Sequence, residues 1–162
     1  VKRDHNISVA IDGPDGLVVP NIKQVQYKSV RELHHELVSL RDKANNKKLA
    51  ISDYSNGTFS ISNIGNIGGK QLGPVILPPQ VCIIGISRMI DTVKIVHKND
   101  TEELNSSEVH YFEGSKEKGV VFHKSINFCI SADHRVIDGA YVARFSQKLR
   151  SLIENPIKIL LG

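Results

Sequence analysis

The alternation of apolar and polar positions divides the chain into short two-sided strands and two longer amphipathic helices. Ile7, Val9 and Ile11 alternate with Ser8 and Ala10, a period of two that predicts a strand over 6–12. Gly13-Pro14-Asp15-Gly16 then supplies turn chemistry, and 17–20 returns as the second strand of a hairpin. Ser29 and Glu32 stand at capping-box spacing. Val30, Leu33, Leu37 and Leu40 follow at helical spacing, predicting an amphipathic helix over 29–46. A short helical turn is expected over 49–54, and 58–62 alternates as a strand that runs into the Gly-rich segment 63–69. The segment 74–79, proline at both ends, reads as a stiff extended connection. The continuous apolar run 81–87 predicts a buried strand, and 92–97 a further one.

Residues 98–118 turn polar and read as an exposed hairpin extension. The strand pattern resumes at 120–122 and leads into 125–139, where Ile126, Phe128 and Ile130 alternate with Asn127, Cys129 and Ser131. Beyond Gly139, Val142, Phe145, Leu149 and Leu152 recur at helical spacing until Asn155-Pro156 stops the helix, and 157–161 forms an apolar terminal turn. Strands and helices mix without strict βαβ alternation, so the predicted class is α/β, a mixed sheet with helices packed on it.

Composition narrows the picture only modestly. The chain has 162 residues, 40% hydrophobic and 23% charged, as expected of one globular domain with a sizeable core. The net charge of +4 would tolerate a phosphate-bearing ligand. Its positive residues are scattered without interleaved aromatics, so a nucleic-acid surface is not expected. No apolar run reaches the roughly 18 residues of a membrane span. Cys82 and Cys129 lie inside apolar runs and read as buried free thiols, and no Cys/His spacing suggests a metal site. The chain opens Val1-Lys2-Arg3-Asp4-His5, with no initiator methionine and no signal peptide, as a piece of a longer polypeptide would.

Candidate chemistry concentrates where the strand over 126–130 ends. His134 lies between Asp133 and Asp138, an arrangement suited to a general base. The plainer reading has the two carboxylates capping the helix that follows, and local pattern weighs the two evenly. Ser62 ends a strand and is a candidate hydroxyl donor or an ordinary strand-end serine. Asp12, also at a strand end, reads first as a turn-forming residue. The glycines of 63–69 suit close backbone approach to a ligand or another subunit; no Lys-Ser/Thr pair follows, so a nucleotide P-loop is not expected. His34 and His35 point roughly 100° apart on a helix and cannot share one metal, so both read as surface or core-rim residues.

Taken together, Asp133-His134-Arg135-Val136-Ile137-Asp138-Gly139 and Gly57-Thr58-Phe59-Ser60-Ile61-Ser62-Asn63-Ile64-Gly65 resemble the catalytic domain of dihydrolipoamide acyltransferases. These are the core components of 2-oxo acid dehydrogenase complexes and have the chloramphenicol acetyltransferase fold. Gly16-Leu17-Val18-Val19-Pro20, Pro78-Pro79-Gln80-Val81, Arg144-Phe145 and Glu154-Asn155-Pro156 extend the resemblance over nearly the whole chain. Within the family, Ile67-Gly68-Gly69 and the Glu-Asn-Pro end look most similar to the branched-chain member, with the pyruvate member close behind.

The resemblance implies a single partial acyltransferase domain over 1–162, carrying a surface insertion near 97–118. Its reaction would move an acyl group between dihydrolipoamide and coenzyme A. By resemblance His134 is the general base, Asp138 the residue that holds the site's geometry and Ser62 the oxyanion donor. Asp12, Ser62 and Asn63 match coenzyme A contacts; Arg41 and Ser87 align with such contacts but differ in residue type. The family's N-terminal helix and strands, which supply an arginine partner for the Asp138 position, are absent from this chain, as are the lipoyl and subunit-binding domains. The family further implies a homotrimer assembling into a cubic or dodecahedral core, with His134 facing the Ser62 of a neighbour. Partners would be the lipoyl domain, which carries the lipoyl group, and the dehydrogenase components, without metal, nucleic acid or membrane. The expected compartment is the mitochondrial matrix, or the cytoplasm of a bacterium. Two other readings are an acetyltransferase core of the pyruvate complex and a structural core component without turnover. An antibiotic acetyltransferase would show His-His where this chain has Asp133-His134.

Overall fold

The alternating segment at the start of the chain does not stay in one sheet. The computed structural model describes residues 2–97, 109–114 and 118–160. It breaks the expected strand over 6–12 into β1 (Ile7–Val9) and β2 (Ile11–Gly13). The break falls at Ala10 because the chain changes partners there. β1 pairs in parallel with β5 (Phe59–Asn63) and antiparallel with β4 (Asn21–Ile22), whereas β2 pairs only with β3 (Gly16–Val18). The Ala10 N–H still donates to the Ile61 carbonyl, so the donor at the switch point keeps a backbone partner. Gly16, at φ 113°, takes the positive-φ position of the β2–β3 turn.

After a 3₁₀ turn at Val25–Tyr27 comes α1 (Val30–Asn45). Its capping box forms as expected: the Ser29 hydroxyl accepts from the Glu32 N–H and the Glu32 carboxylate accepts from the Ser29 N–H. Its buried face is only part of the expected stripe, with Ala44 added. Leu40 and Ala44 are buried and Leu33 is packed against them, while Val30 is 72% exposed and Leu37 37%. The stripe is tilted because the helix packs on β2 and β4, where Ile11 and Ile22 complete the cluster. The short α2 (Ile51–Tyr54) follows, with the Asp53 carboxylate accepting from the Ala50 N–H at its start.

The chain divides into two compact units. The first, Val1–Asn63 with Gly73–Gly85 and Cys129–Gly162, holds the α1 cluster and the main sheet. That sheet has the order β10-β6-β5-β1-β4, where β6 is Cys82–Ile86 and β10 is Phe128–Ala132. It is mixed, as expected. The two thiols are free: Cys82 is buried and Cys129 half-buried, and burial pushes the Cys82 thiol above its ordinary pKa. The unit ends in α3 (Gly139–Glu154) and α4 (Ile157–Leu160). α3 buries none of its residues fully; Phe145 remains 40% exposed beside Phe59, with ring centroids 6.2 Å apart.

The second unit comprises Ile64–Leu72 and Ile86–Phe128. Its sheet has the order β7-β9-β8, with β7 at Ile90–His97, β8 at His110–Tyr111 and β9 at Lys118–Ser125. Val96, Val109 and Val121 form its core, and the opposite face leaves Val93, Ile95 and Phe122 exposed. β9 does not run on into β10 as the pattern suggested. The Ser87 hydroxyl and N–H both bind the backbone of Asn127, where the chain leaves β7 as partner for β6. Of the expected insertion near 97–118, residues 98–108 and 115–117 lie outside the described residues.

Truncating Leu40 to Ala should cost about 2–5 kcal/mol in urea denaturation, as for other buried leucines. Val30→Ala, at an exposed position of the same helix, should stay within about 0.5 kcal/mol. Equal losses would mean that the buried face of α1 is misassigned.

Candidate active site

The turn after β10 is locked from both sides. The Asp133 N–H donates to the Val81 carbonyl at 2.9 Å, and the Asp133 carbonyl accepts from Val136 and Ile137 at 3.0 and 2.9 Å. Its carboxylate accepts from the Arg135 N–H at 3.0 Å, from Nε at 3.0 and 3.2 Å and from Nη2 at 2.7 Å. This fork holds a three-residue loop with His134 at its centre, exposed to solvent. Asp138 then adopts extended φ and ψ and accepts from the Tyr141 N–H at 2.6 Å, the N-cap of α3. The capping alternative therefore holds for Asp138, whereas Asp133 instead clamps Arg135.

Charge follows from this geometry. The hydrogen bonds from the Arg135 side chain, and then from its backbone N–H, pull the Asp133 carboxyl from its ordinary 3.8 to about 2. The same contact raises the Arg135 pKa. At neutral pH Asp133 is thus an anion with its acceptor capacity used, unsuited to donating a proton beside His134.

Ser62 and Asn63 end β5. Ser62 is half-buried and Asn63 exposed. The Gly-rich segment that follows turns back on itself, the Ile64 carbonyl accepting from both Ile67 and Gly68 at 2.9 Å.

Strand direction separates these two groups. The Ile64 N–H, just past β5, donates to the carbonyl of Ile86, the last residue of β6, so β5 and β6 end together. Asp133, just past β10, instead meets Val81, just before β6, so β10 runs against β6. Ser62 and His134 consequently lie at opposite ends of one sheet. Five residues of β6 at about 3.3 Å each put about 16 Å between those ends along the strand, with two strand spacings of about 4.8 Å across. Within one chain the two residues therefore do not meet.

The remaining predicted residues fall into two groups. Asp12 on β2 and Arg41 on α1 are exposed, and their neighbours Ile11 and Leu40 pack in one cluster, so the fold brings these two elements together. Among the described residues, Arg41 reaches the adjacent Asp42, at 3.5 Å. Ser87 is 2% exposed and its hydroxyl accepts from the Asn127 N–H at 3.1 Å, which engages it within the fold. His34 and His35 are both exposed, their rings in edge contact. Among the described residues no group of three His, Cys, Asp or Glu could hold a metal ion, and no helix is long and apolar enough to cross a membrane.

Residues 1–161 match the family model of 2-oxoacid dehydrogenases acyltransferase (catalytic domain). The chain belongs to this family. Among relatives, the mitochondrial lipoamide acyltransferase component of the mouse branched-chain alpha-keto acid dehydrogenase complex is 41% identical over 161 residues, 99% of this chain and 29% of that protein. The dihydrolipoyllysine-residue acetyltransferase component of the Mycoplasma pneumoniae pyruvate dehydrogenase complex is 35% identical over 98% of this chain and 35% of that protein. The chain therefore spans about a third of the length of these acyltransferases. Among solved structures, the cubic core of a pyruvate dehydrogenase multienzyme complex superposes with a TM-score of 0.76 at 32% identity, covering 98% of this chain and 57% of that one. Azotobacter vinelandii dihydrolipoamide acetyltransferase, studied for the catalytic roles of a serine, a histidine and an asparagine, gives 0.75 at 31%, covering 98% and 57%. The acyltransferase fold expected from the motifs is thus the observed one.

One position carried by the acyltransferase motifs went unread in the sequence. Gln80 is 8% exposed, and its amide is hydrogen-bonded to Ser8 and Ser60. The available signal was a polar residue between a Pro-Pro pair and a continuous apolar run.

Because the Asp133 pKa is lowered on folding, its stabilisation is present above the ordinary value of 3.8 and is lost as pH falls toward about 2. The clamp should therefore stay closed at every pH above 4. Carboxyl-detected NMR titration should give a midpoint near 2 for Asp133. In Arg135→Ala the midpoint should return toward 3.8. An unmoved midpoint would assign the depression to something other than Arg135.

Proposed function

We propose that the chain is the acyl-transferring part of a lipoamide acyltransferase, exchanging a branched acyl group between dihydrolipoamide and coenzyme A. What carries the reading is an exposed His134 in a turn whose flanking groups are all engaged, within a chain matched from end to end by an acyltransferase family. The branched-chain assignment rests on the 41% identity to the mouse protein, against 35% to the Mycoplasma acetyltransferase. That second relative favours acetyl transfer in a pyruvate complex as the other reading.

The chemistry needs few groups. A thiol of pKa about 8.5 is mostly protonated at neutral pH. Neutral His134 takes its proton as the sulfur attacks the thioester carbonyl. The electron pair displaced onto the carbonyl oxygen is stabilised by the Ser62 hydroxyl, worth about 3 kcal/mol at such a position. Collapse re-forms the carbonyl and breaks the other carbon–sulfur bond. The departing thiolate then takes the proton back from His134. Coenzyme A and dihydrolipoamide thus exchange the acyl group directly, without an acyl-enzyme. Asp12 and Asn63, with Arg41 more weakly, would contact coenzyme A. Asp138 contributes by fixing the start of α3, and hence the far end of the turn that holds His134.

With Ser62 and His134 at opposite ends of one sheet, the site is best built between chains, His134 of one facing Ser62 of the next. A closed homotrimer satisfies that with three equivalent sites. Further assembly into a larger core, with lipoyl domains and dehydrogenase components as partners, follows the cubic core of the pyruvate complex. The mitochondrial matrix is the compartment proposed, from the mitochondrial mouse relative; the Mycoplasma protein supports a bacterial cytoplasm instead.

In the full-length protein, His134→Ala should lower acyl transfer from acyl-coenzyme A to dihydrolipoamide by about 10²–10⁴. Ser62→Ala should lower kcat by about 10²–10³. Unchanged rates for His134→Ala would leave the chain a structural core component. Co-assembled from the two inactive variants, mixed oligomers should regain part of the wild-type rate, because some interfaces pair an intact His134 with an intact Ser62. No recovery in verified mixed assemblies would place both groups of a site in one chain.

A further inference from the structure

We propose that Gln80 is the positioning residue that registers the two halves of the acyl-transfer machinery against each other. The inference rests on the roles given above to His134 and Ser62.

Gln80 is 8% exposed, and both ends of its amide are used inside the first compact unit. Its Nε2 donates to Ser8 Oγ at 2.9 Å and its Oε1 accepts from Ser60 Oγ at 2.7 Å. Ser8 and Ser60 face each other in the parallel β1–β5 ladder, each 1% exposed. The amide therefore spans two neighbouring strands like a staple. Ser60 is two residues from Ser62, so the two side chains point to the same face of β5.

The other half is attached one residue along. The carbonyl of Val81 accepts from the Asp133 N–H at 2.9 Å, at the root of the turn that presents His134. The Gln80 N–H donates to the Leu77 carbonyl at 2.9 Å, closing the loop in which it sits. A short covalent path thus joins the amide that grips β5 to the carbonyl that suspends the His134 turn. In the core, a leucine or methionine would fill the space with less desolvation cost. What the amide adds is direction: its donor and acceptor ends fit the two serines in one arrangement only, and a buried donor or acceptor left without its partner is destabilising.

Gly57 is shaped to this network. A Cβ there would lie 2.5 Å from Ser8 Oγ and 2.6 Å from Gln80 Nε2. Any side chain at 57 would push the amide off its serine. The Gly57-Thr58-Phe59-Ser60 run and the Pro78-Pro79-Gln80-Val81 run, far apart in sequence, are two sides of one contact.

The test uses the full-length assembly. Gln80→Met keeps the length and removes both hydrogen bonds, and Ser60→Ala removes one of them from the opposite side. Each should keep oligomer size, and KM for both substrates should stay within about twofold, because neither side chain is proposed to touch substrate. kcat should fall by about tenfold to a hundredfold, the penalty of small misplacement of reacting groups. The Gln80→Met, Ser60→Ala double variant should lose no more than the worse single one, since both break the same staple. Ordinary kcat in folded Gln80→Met would overturn the inference, as would a loss shared equally by KM, or losses that simply multiply in the double variant. Should Gln80→Met fail to assemble, Ser60→Ala decides alone by the same kcat criterion. His134→Ala run alongside separates the two levels. If it stays active the acyl-transfer reading fails; if it is inactive while both network variants turn over normally, only the role of Gln80 fails.

Discussion

Strand β6 is hydrogen-bonded on both flanks, with β5 running alongside it and β10 running against it. Those two directions decide where the chemistry goes. A residue at the end of β5 and a residue past the end of β10 are sent to opposite edges of the sheet, whatever their sequence context. Ser62 and His134 are those residues. On the roles proposed for these two residues, the sheet acts as a spacer between two half-sites, and the proposal accordingly builds the site from more than one copy of the chain.

A spacer works only if it does not slip. β1 and β5 are short, three and five residues, and a one-residue slip would turn every side chain to the other face. The apolar contacts around Ile11, Ile22, Leu40 and Ala44 hold α1 to the sheet but are poor at setting register, because apolar packing has little direction. Hydrogen bonds have direction. The Ser8–Gln80–Ser60 staple pins the two strands at one rung, and the carbonyl next to Gln80 holds the turn of His134. The clamp of Asp133 on Arg135 and the cap of Asp138 on α3 then shape that turn locally.

The first unit also presents much apolar surface. α3 leaves Tyr141, Phe145 and Ile153 exposed and α4 leaves Ile157 and Ile159 exposed. Exposed apolar faces of this kind are costly in an isolated soluble chain and characteristic of surfaces that meet a partner. They fit the assembly proposed above, where the same interfaces would bring His134 and Ser62 together.

Local pattern was enough for much of this molecule. The capping box at Ser29, the hairpin around Gly13–Gly16, the strand containing Ser62 and the helix after Gly139 all follow from rules that act within one or two turns of chain. The motif around His134, read with that around Ser62, was specific enough to indicate the family. What local pattern could not supply was partner choice. Ile7 through Ile11 alternate without interruption, yet the chain leaves one sheet for a hairpin at Ala10. The pattern from Val120 to Ile130 similarly conceals the exchange of β7 for β6. Ala44 is buried beside the expected Leu40 while Val30 is exposed, because burial depends on which strands the helix meets. Gln80 went unread for the same reason: a polar residue beside an apolar run acquires meaning only when Ser8 and Ser60, 72 and 20 residues away, arrive to satisfy it. Residue types and local conformation are therefore legible in the sequence, because their causes are short-ranged. Strand direction, register and the separation of Ser62 from His134 were decided by tertiary structure, since each depends on hydrogen bonds between segments that the sequence does not place side by side.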